Sequence, residues 1–394
     1  MRIAFVTSRF PYPVEKGDKL RAFYQIRHLS EMHEIHLVSL SHKAISQEDL
    51  DAMSPYCKSV RVFRINLLLL PVQIILGWIE GLPIQVSYFL DRTLKRKVQY
   101  HIIHIEPDHV ICQLIRAAPY VRALPFTKTL DYMDVFSEGM RQLSSKHKLF
   151  GFFFRWEAER LSAFERTIYK DFDHHMIISE QERQRLKLPS KEMIAVIPNG
   201  VDDSFVISTS DHIPQYDLVF VGNLGYGPNK SAVDFLVHEL LPALKKKRRN
   251  LSILIAGARP SAGIRQLHRP PEVIIKGWIP DIRDAYRDGR IFVAPMFSGL
   301  GLQNKILEAM SMGVPCVTTS MVNNAIGAKE GEQILVADTI ETMVNHIESL
   351  LDHPDQYHRI ATNARALIAA EYRWQDQVKK VEELIVSKNA YLYK

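Results

Sequence analysis

Short apolar runs alternate along this chain with longer segments in which apolar residues recur at a period near 3.6. In the first half the runs are Arg2 to Ser8, Ile35 to Leu40, Val60 to Ile65, Ile102 to Ile105, Thr127 to Asp131, His174 to Ser179 and Met193 to Ile197. In the second half they are Leu218 to Val221, Leu251 to Ala256, Val273 to Ile279, Ile291 to Ala294, Pro315 to Thr318 and Gln333 to Ala337. Near-continuous apolar runs of this length suit strands buried on both faces. Helical periodicity predicts helices over Asp18 to Met32, Ser46 to Tyr56, Trp156 to Phe172, Gln303 to Met312, 340–351, 355–371 and Trp374 to Ser387. Asp18, Ser46 and Ser179 are placed to cap helices. The alternation predicts an α/β protein with parallel, doubly wound sheets.

The densest information lies in Ile291 to Thr319, which reads strand, glycine loop, helix, strand. Gly299 and Gly301 precede a helix opening near Gln303, and Gly313 with Pro315 ends it. The first-turn N–H groups of such a helix have no internal partners and meet the positive end of its dipole. Glycines let a diphosphate approach that backbone closely. Lys305 adds a full positive charge, and Glu308, one turn later, suits a ribose or sugar hydroxyl. The alternative is an ordinary crossover with Lys305 and Glu308 solvated. A second glycine loop, Gly222-Asn223-Leu224-Gly225-Tyr226-Gly227-Pro228-Asn229-Lys230, also lies between a strand and a helix.

The motif G-x-x-x-K-I-L-E-A-M-S-x-G-V-P-x-V closely resembles the donor site of retaining glycosyltransferases of family 4, and the resemblance extends over most of the chain. The wording GLQNKILEAM is most similar to sugar transferases associated with the exopolysaccharide loci of PEP-CTERM/exosortase systems. The resemblance implies the glycosyltransferase-B fold: two Rossmann-like doubly wound domains facing a central cleft. The expected boundaries are 1–198 for an acceptor domain, 199–215 for a hinge and linker that includes the polar Ser208 to Gln215, 216–373 for a nucleotide-sugar donor domain, and 374–394 for a helix crossing back to the first domain. A length of 394 residues fits two domains.

By the same resemblance, the donor diphosphate lies over Gly299, Leu300, Gly301, Leu302, Gln303, Asn304 and Lys305, and Glu308 holds the ribose. Gly222, Asn223, Lys230 and Arg259 belong to the phosphate side. The backbone of Gly277, Trp278 and Ile279 reads the base, with Trp278 either stacking or buried in the core. Gly17 and Asp18 match a glycine-containing loop of the family that faces the cleft. Two departures stand out. Leu300 occupies the place of a family Glu that contacts the donor sugar, and Asn223 that of an Arg, so a bidentate phosphate clamp is forfeited. Asp134 lies after a strand end, where parallel sheets bind ligands, and is a candidate to orient an acceptor hydroxyl or accept its proton; His104 is another.

Composition adds limits. Residues 1–200 hold 28 Lys+Arg against 22 Asp+Glu, while the remainder balances at 22 and 22. The basic half suits lipid head groups or a lipid-linked acceptor, or simply solubility. No nucleic-acid module is recognisable. Cys57, Cys112 and Cys316 are dispersed, as in a reducing cytosol, and show no metal spacing. Asp49/Asp51 and Asp171/Asp173 read as solvated acids. No metal or cofactor is expected beyond the nucleotide-diphosphate sugar as co-substrate, with a glycan or lipid-linked acceptor. The apolar stretches 66–84 and 149–156 are interrupted too often to span a membrane. They lie either at a membrane surface, with Trp78 and the basic Lys95-Arg96-Lys97 nearby, or in the core. Met1 leads straight into a strand, so no signal peptide is expected, and the expected location is cytoplasmic, at the inner face of the membrane. Two other functions fit these residues: a non-catalytic or regulatory nucleotide-sugar module, which the two departures favour, and another enzyme of the same fold such as a sugar epimerase.

Overall fold

The structure is a computed structural model that describes residues 1–146, 150–206, 212–248, 250–299 and 301–387. Leu300, Leu149, residues 207–211 of the linker expectation and residues 388–394 of the crossing-helix expectation lie outside the described residues. The chain divides into two compact units, Met1–Pro198 with Trp374–Lys394, and Asn199–Arg373.

The first unit is built on β1 (Arg2–Thr7), β2 (Glu34–Ser41), β3 (Ser59–Arg64), β4 (His109–Gln113), β5 (Thr127–Asp131), β6 (His174–Ile177) and β7 (Ala195–Val196). All pairings are parallel, in the order β3-β2-β1-β4-β5-β6-β7. Apolar side chains cover both faces. One face packs Val6, Val38, Val110 and Leu130 against helices Arg92–Ile105 and Gly151–Tyr169. The other packs Phe5, Leu37, Ile111 and Met176 against helices Gly17–Leu29 and Trp374–Val386. Trp374 is buried and stacks on Tyr24, with ring centres 5.0 Å apart, which fixes the last helix to this unit.

Two sequence expectations change here. Ile102 to Ile105 is not a strand but the end of helix Arg92–Ile105, with Val98, Ile102 and Ile105 buried on one face. Asp91 caps that helix by accepting from the N–H groups of Thr93 and Leu94. The strand is the following run, His109–Gln113. Asp18 is not a cap either: the helix begins at Gly17, and Asp18 sits in its first turn, paired with Arg9 at 2.6 Å. Ser46 and Ser179 do cap their helices, accepting from Asp49 and Glu182 N–H.

The second unit has β8 (Tyr216–Val221), β9 (Ile253–Ala256), β10 (Val273–Lys276), β11 (Gly289–Ala294), β12 (Cys316–Thr318) and β13 (Leu335–Val336). These are again all parallel, in the order β10-β9-β8-β11-β12-β13. The strand expected over Val273 to Ile279 stops at Lys276, leaving Gly277, Trp278 and Ile279 in the loop at its C-terminal end. In each sheet the order reverses between two central neighbours, β1/β4 and β8/β11. The chain leaves such a pair in opposite directions, which opens a crevice beyond their carboxyl ends.

One ion pair locks the crevice edge of the first sheet. Arg21 donates to Asp131 at 2.6 Å, both side chains are fully buried, and Arg21 also donates to the Ile197 carbonyl at 2.9 Å. The first helix is thereby tied to the ends of β5 and β7. Removing one partner strands a buried charge, which costs about 3–5 kcal/mol. Arg21→Met is therefore expected to lower the unfolding free energy from urea titration by that amount, and Arg21→Met with Asp131→Leu to recover much of it. A loss below about 1 kcal/mol for the single variant would show that the pair does not hold this edge.

Candidate functional site

The crevice of the second unit lies beyond β8 and β11, and the loops leaving those two strands are the two glycine loops. The loop after β11 runs from Pro295 to the helix Asn304–Ser311. Gly299 and Gly301 have φ of +126° and +73°, conformations that strain any residue with a side chain. The loop is pinned from the neighbouring strand end: Thr318 Oγ1 donates to the Ala294 carbonyl at 2.8 Å, and Thr319 Oγ1 to the Met296 carbonyl at 2.7 Å. Gln303 stands at the N-cap position without a capping hydrogen bond from its side chain. The N–H groups of Asn304 and Lys305 have no carbonyl one turn back inside the helix.

The loop after β8 approaches its neighbours closely. A Cβ on Gly257, after β9, would stand 1.8 Å from the Gly222 carbonyl oxygen, at a φ of +140°. Asn223 folds its own loop, accepting the Gly225 N–H on Oδ1 at 3.0 Å. Buried Asn229 donates to the Asn223 carbonyl at 2.9 Å. Its other amide atom, Oδ1, accepts from Lys305 Nζ, which joins the two loops. Lys305 also lies 4.9 Å from the Phe220 ring centre and 3.6 Å from Met296 Sδ. Burial among these groups pulls its pKa down to about 7, with Glu308 opposing the shift.

Glu308 accepts a hydrogen bond from the hydroxyl of buried Tyr286 at 2.7 Å. Its pKa is raised, chiefly by burial, against the stabilising Tyr286 hydrogen bond and the Lys305 charge. Tyr286 uses one carboxylate oxygen and leaves the other lone pairs for a ligand. Asn304 accepts from Asn199 Nδ2 at 3.1 Å, which anchors the helix start. Trp278 is 70% exposed. It is not a core residue, and its ring is free to stack on a planar ligand. Arg259 has φ +59°, and its carbonyl would lie 3.3 Å from a Cβ on Gly225, so its backbone flanks the same loop. Gly222, Asn223, Lys230, Gly299, Gly301, Leu302, Gln303, Asn304, Lys305 and Glu308 thus belong to the two loops at one crevice or to the helices that follow. Gly277, Trp278 and Ile279 lie at the same carboxyl edge of this sheet, beyond β10.

In the first unit the equivalent edge carries Asp18 and Asp134. Gly17 opens the first helix there, and Gln113 at the end of β4 donates to the Asp18 carbonyl at 2.8 Å. Asp134 follows the positive-φ Met133. Burial, with repulsion from Glu182 and Asp18, raises its pKa to about 7, within the range of a general acid or base at neutral pH. Arg116 lies against Phe89 and Phe136 at this edge, 5.2 Å and 4.3 Å from the ring centres. His104 is not there. It is exposed in the last turn of helix Arg92–Ile105, which leads into the start of β4, so it lies at the sheet edge opposite the carboxyl ends.

Sequence reasoning missed Asn229, Tyr286, Phe220 and Gly257. Asn229 stands beside Lys230 in a loop already singled out, but an amide next to a lysine carries no mark of burial. Nothing near Tyr286 in the sequence marks it.

The fold and this crevice define a class: two Rossmann-like units with parallel sheets, the arrangement of glycosyltransferase-B structures. Residues 215–353, most of the second unit, match the family model described as Glycosyl transferases group 1. The chain is similar to the sucrose-phosphate synthase of Thermosynechococcus elongatus, with a TM-score of 0.71 at 15% identity over 98% of each chain. It is also similar to Anabaena HepE in complex with UDP and glucose, with a TM-score of 0.69 at 14% identity over 98% of this chain and 100% of that one. A 44.6 kDa protein in the cps region of Klebsiella pneumoniae is 23% identical over 417 residues, covering 98% of this chain and all of that one.

The ammonium of Lys305 is held in an environment that opposes its charge. Between its folded value near 7 and its ordinary value of 10.5, the unfolded chain binds the extra proton, so stability from this group rises with pH across that window. Lys305→Met is therefore expected to stabilise the protein at pH 7 by about 1 kcal/mol, after allowance for partial solvent access. The advantage should fade as pH approaches 10. Thermal unfolding across that range checks it, and a lower melting temperature for Lys305→Met at pH 7 would contradict it.

Proposed function

We propose that the protein is a retaining glycosyltransferase that moves a sugar from a nucleoside-diphosphate donor to an acceptor hydroxyl. The observation that carries this reading is the joining of the two glycine loops at the β8/β11 reversal by the Lys305–Asn229 hydrogen bond. The match of residues 215–353 to glycosyl transferases group 1 supports it. Structural relatives crystallised with UDP, and one with UDP and an α-GlcNAc-glycerol, fit the same substrate class.

In this reading the donor diphosphate lies on the N–H groups opening helix Asn304–Ser311. Lys305 regains its proton fully beside the diphosphate and stabilises the leaving group as the sugar–oxygen bond breaks. No resident metal is required for that step in our proposal. Glu308, oriented by Tyr286, accepts from the ribose hydroxyls, and Trp278 is available for the base. Asp134 is the candidate acid–base group on the acceptor side. Leu300 and Asn223 stand where family 4 enzymes carry Glu and Arg, so the sugar is held by other groups and the phosphates rely on Lys305, Lys230 and the backbone. We also read the motif GLQNKILEAM as placing the chain in family 4, near the exopolysaccharide enzymes of PEP-CTERM systems. The cps-region relative supports a role in polysaccharide synthesis, and the acceptor we infer is a glycan or lipid-linked glycan on the cytoplasmic side.

A thermal-shift panel of UDP, GDP, ADP and TDP, with and without magnesium, tests this. One nucleotide at 100 times its dissociation constant should add about 2.7 kcal/mol without metal. Lys305→Ala should abolish binding of both that nucleotide and inorganic pyrophosphate. Glu308→Gln should weaken the nucleotide about tenfold and leave pyrophosphate unchanged, because only the nucleotide carries a ribose. If no nucleotide shifts the protein, the donor site is refuted. If binding occurs but no sugar is transferred to any hydroxyl acceptor, a binding module is the better account.

A further inference from the structure

Two apolar stretches of the first unit, far apart in sequence, are both exposed, and Arg160 ties their helices together. Leu67, Leu68, Leu69, Val72, Ile75, Leu76, Trp78 and Ile79 are all exposed on the short turn Leu67–Leu69 and the helix Leu70–Ile79. Phe150, Phe152 and Phe153 are exposed at the start of helix Gly151–Tyr169. Leu68 and Phe152 are 88% and 83% exposed. Arg160 of the second helix donates to the Trp78 and Leu82 carbonyls at 2.9 Å and 3.0 Å, which sets that helix beside the end of the first. The Arg160 guanidinium also lies 4.5 Å from the Trp156 ring centre, and Trp156 in turn contacts Phe153. Residues 65–79 contain no charged side chain. A soluble monomer seldom leaves so many large apolar groups contiguous unless they meet another apolar phase.

The rim of this face is basic. Arg92 donates to Gln73 at 2.7 Å and pairs with Glu80 at 2.7 Å, which places the start of helix Arg92–Ile105 alongside the apolar helix. Lys95, Arg96 and Lys97 follow within the next turns of that helix. Arg64 precedes the apolar turn, and Arg155 lies one turn beyond Phe152; both are exposed. Of the nearby acids, Glu80 is paired with Arg92 and buried Glu157 accepts from the Ile84 and Gln85 N–H groups, while exposed Glu159 stands one turn beyond Arg155. An apolar face with Trp at its edge and a surplus of Lys and Arg around it is complementary to anionic head groups over acyl chains. No helix among the described residues is long and apolar enough to cross a membrane, so the fit is to the interface.

We propose that this face of the first unit seats the protein on the surface of an anionic lipid bilayer, with Leu68, Ile75, Trp78, Ile79, Phe152 and Phe153 entering the head-group boundary. Lys95, Arg96, Lys97 and Arg155 lie over the phosphates. The inference does not depend on the donor chemistry, and its test uses no nucleotide.

The test is co-flotation of the whole chain with vesicles of phosphatidylcholine alone or of an equimolar mixture with phosphatidylglycerol. The wild type should float with the anionic vesicles and far less with the neutral ones, and high salt should weaken the association. Leu68→Glu with Phe152→Glu should reduce binding at least about tenfold with an unchanged circular dichroism spectrum and melting temperature, because both side chains are already in solvent. Arg96→Glu with Lys97→Glu should remove the preference for the anionic vesicles. Failure of the wild type to float overturns the proposal, as does equal flotation of the apolar double variant. A chain that is dimeric by light scattering, becomes monomeric in the apolar double variant and ignores vesicles would assign the face to a second copy instead, and also overturns it.

Discussion

The hydrogen bond from Lys305 to the buried amide of Asn229 is the contact on which the second unit's crevice depends. It links two loops that leave adjacent strands in opposite directions, and it does so with a charge held among Phe220, Met296 and the loop backbone. Such a charge is poorly solvated, and its pKa near 7 expresses that penalty. An anionic ligand placed on the helix start would remove it. The site is thus arranged so that the protein alone is less stable than it could be, and an anionic ligand bound there, as we propose, would supply a counter-charge. Tyr286 and Asn199 complete the arrangement by fixing Glu308 and Asn304, so that the first two turns of the helix present a set geometry rather than a mobile one.

The first unit solves a different problem at the equivalent edge. There the Arg21–Asp131 pair is fully buried and its charges are mutually satisfied, so it serves the fold. Burial, with repulsion from Glu182 and Asp18, pushes Asp134, three residues beyond Asp131, to about 7 against the opposing Arg21 charge. Two neighbouring carboxyls thus sit in different surroundings, one locked in a buried ion pair and one not. The acid that looks most buried in this loop is the structural one.

Much of this was legible in the sequence because the signals were local. Parallel strands buried on both faces write themselves as short apolar runs, and the glycine loops announced the β8/β11 crevice through residue type and spacing alone. What was not legible came from tertiary partners. Asn229, Tyr286 and Phe220 matter because of what the fold sets against them, and no neighbour in the chain marks that. The run Ile102 to Ile105 misled because two apolar residues between histidines fit strand and helix equally well; the longer period, Val98–Ile102–Ile105, decided for the helix. Asp18 looked like a cap by type, yet Arg9 claims its carboxylate. Trp278 looked like core by size and lies in solvent. For the stretches 66–84 and 149–156, composition left surface and core open. The structure resolves the choice for the helix Leu70–Ile79 and for Phe150, Phe152 and Phe153, whose apolar side chains are outside.

We infer that the loops after β8 and β11 together hold a nucleoside diphosphate. Hydrogen–deuterium exchange of the whole chain with and without saturating UDP tests it most directly. Exchange should slow in both 222–230 and 301–308, with both effects lost in Lys305→Ala. Protection absent from these two loops while UDP is bound elsewhere in the chain would contradict it.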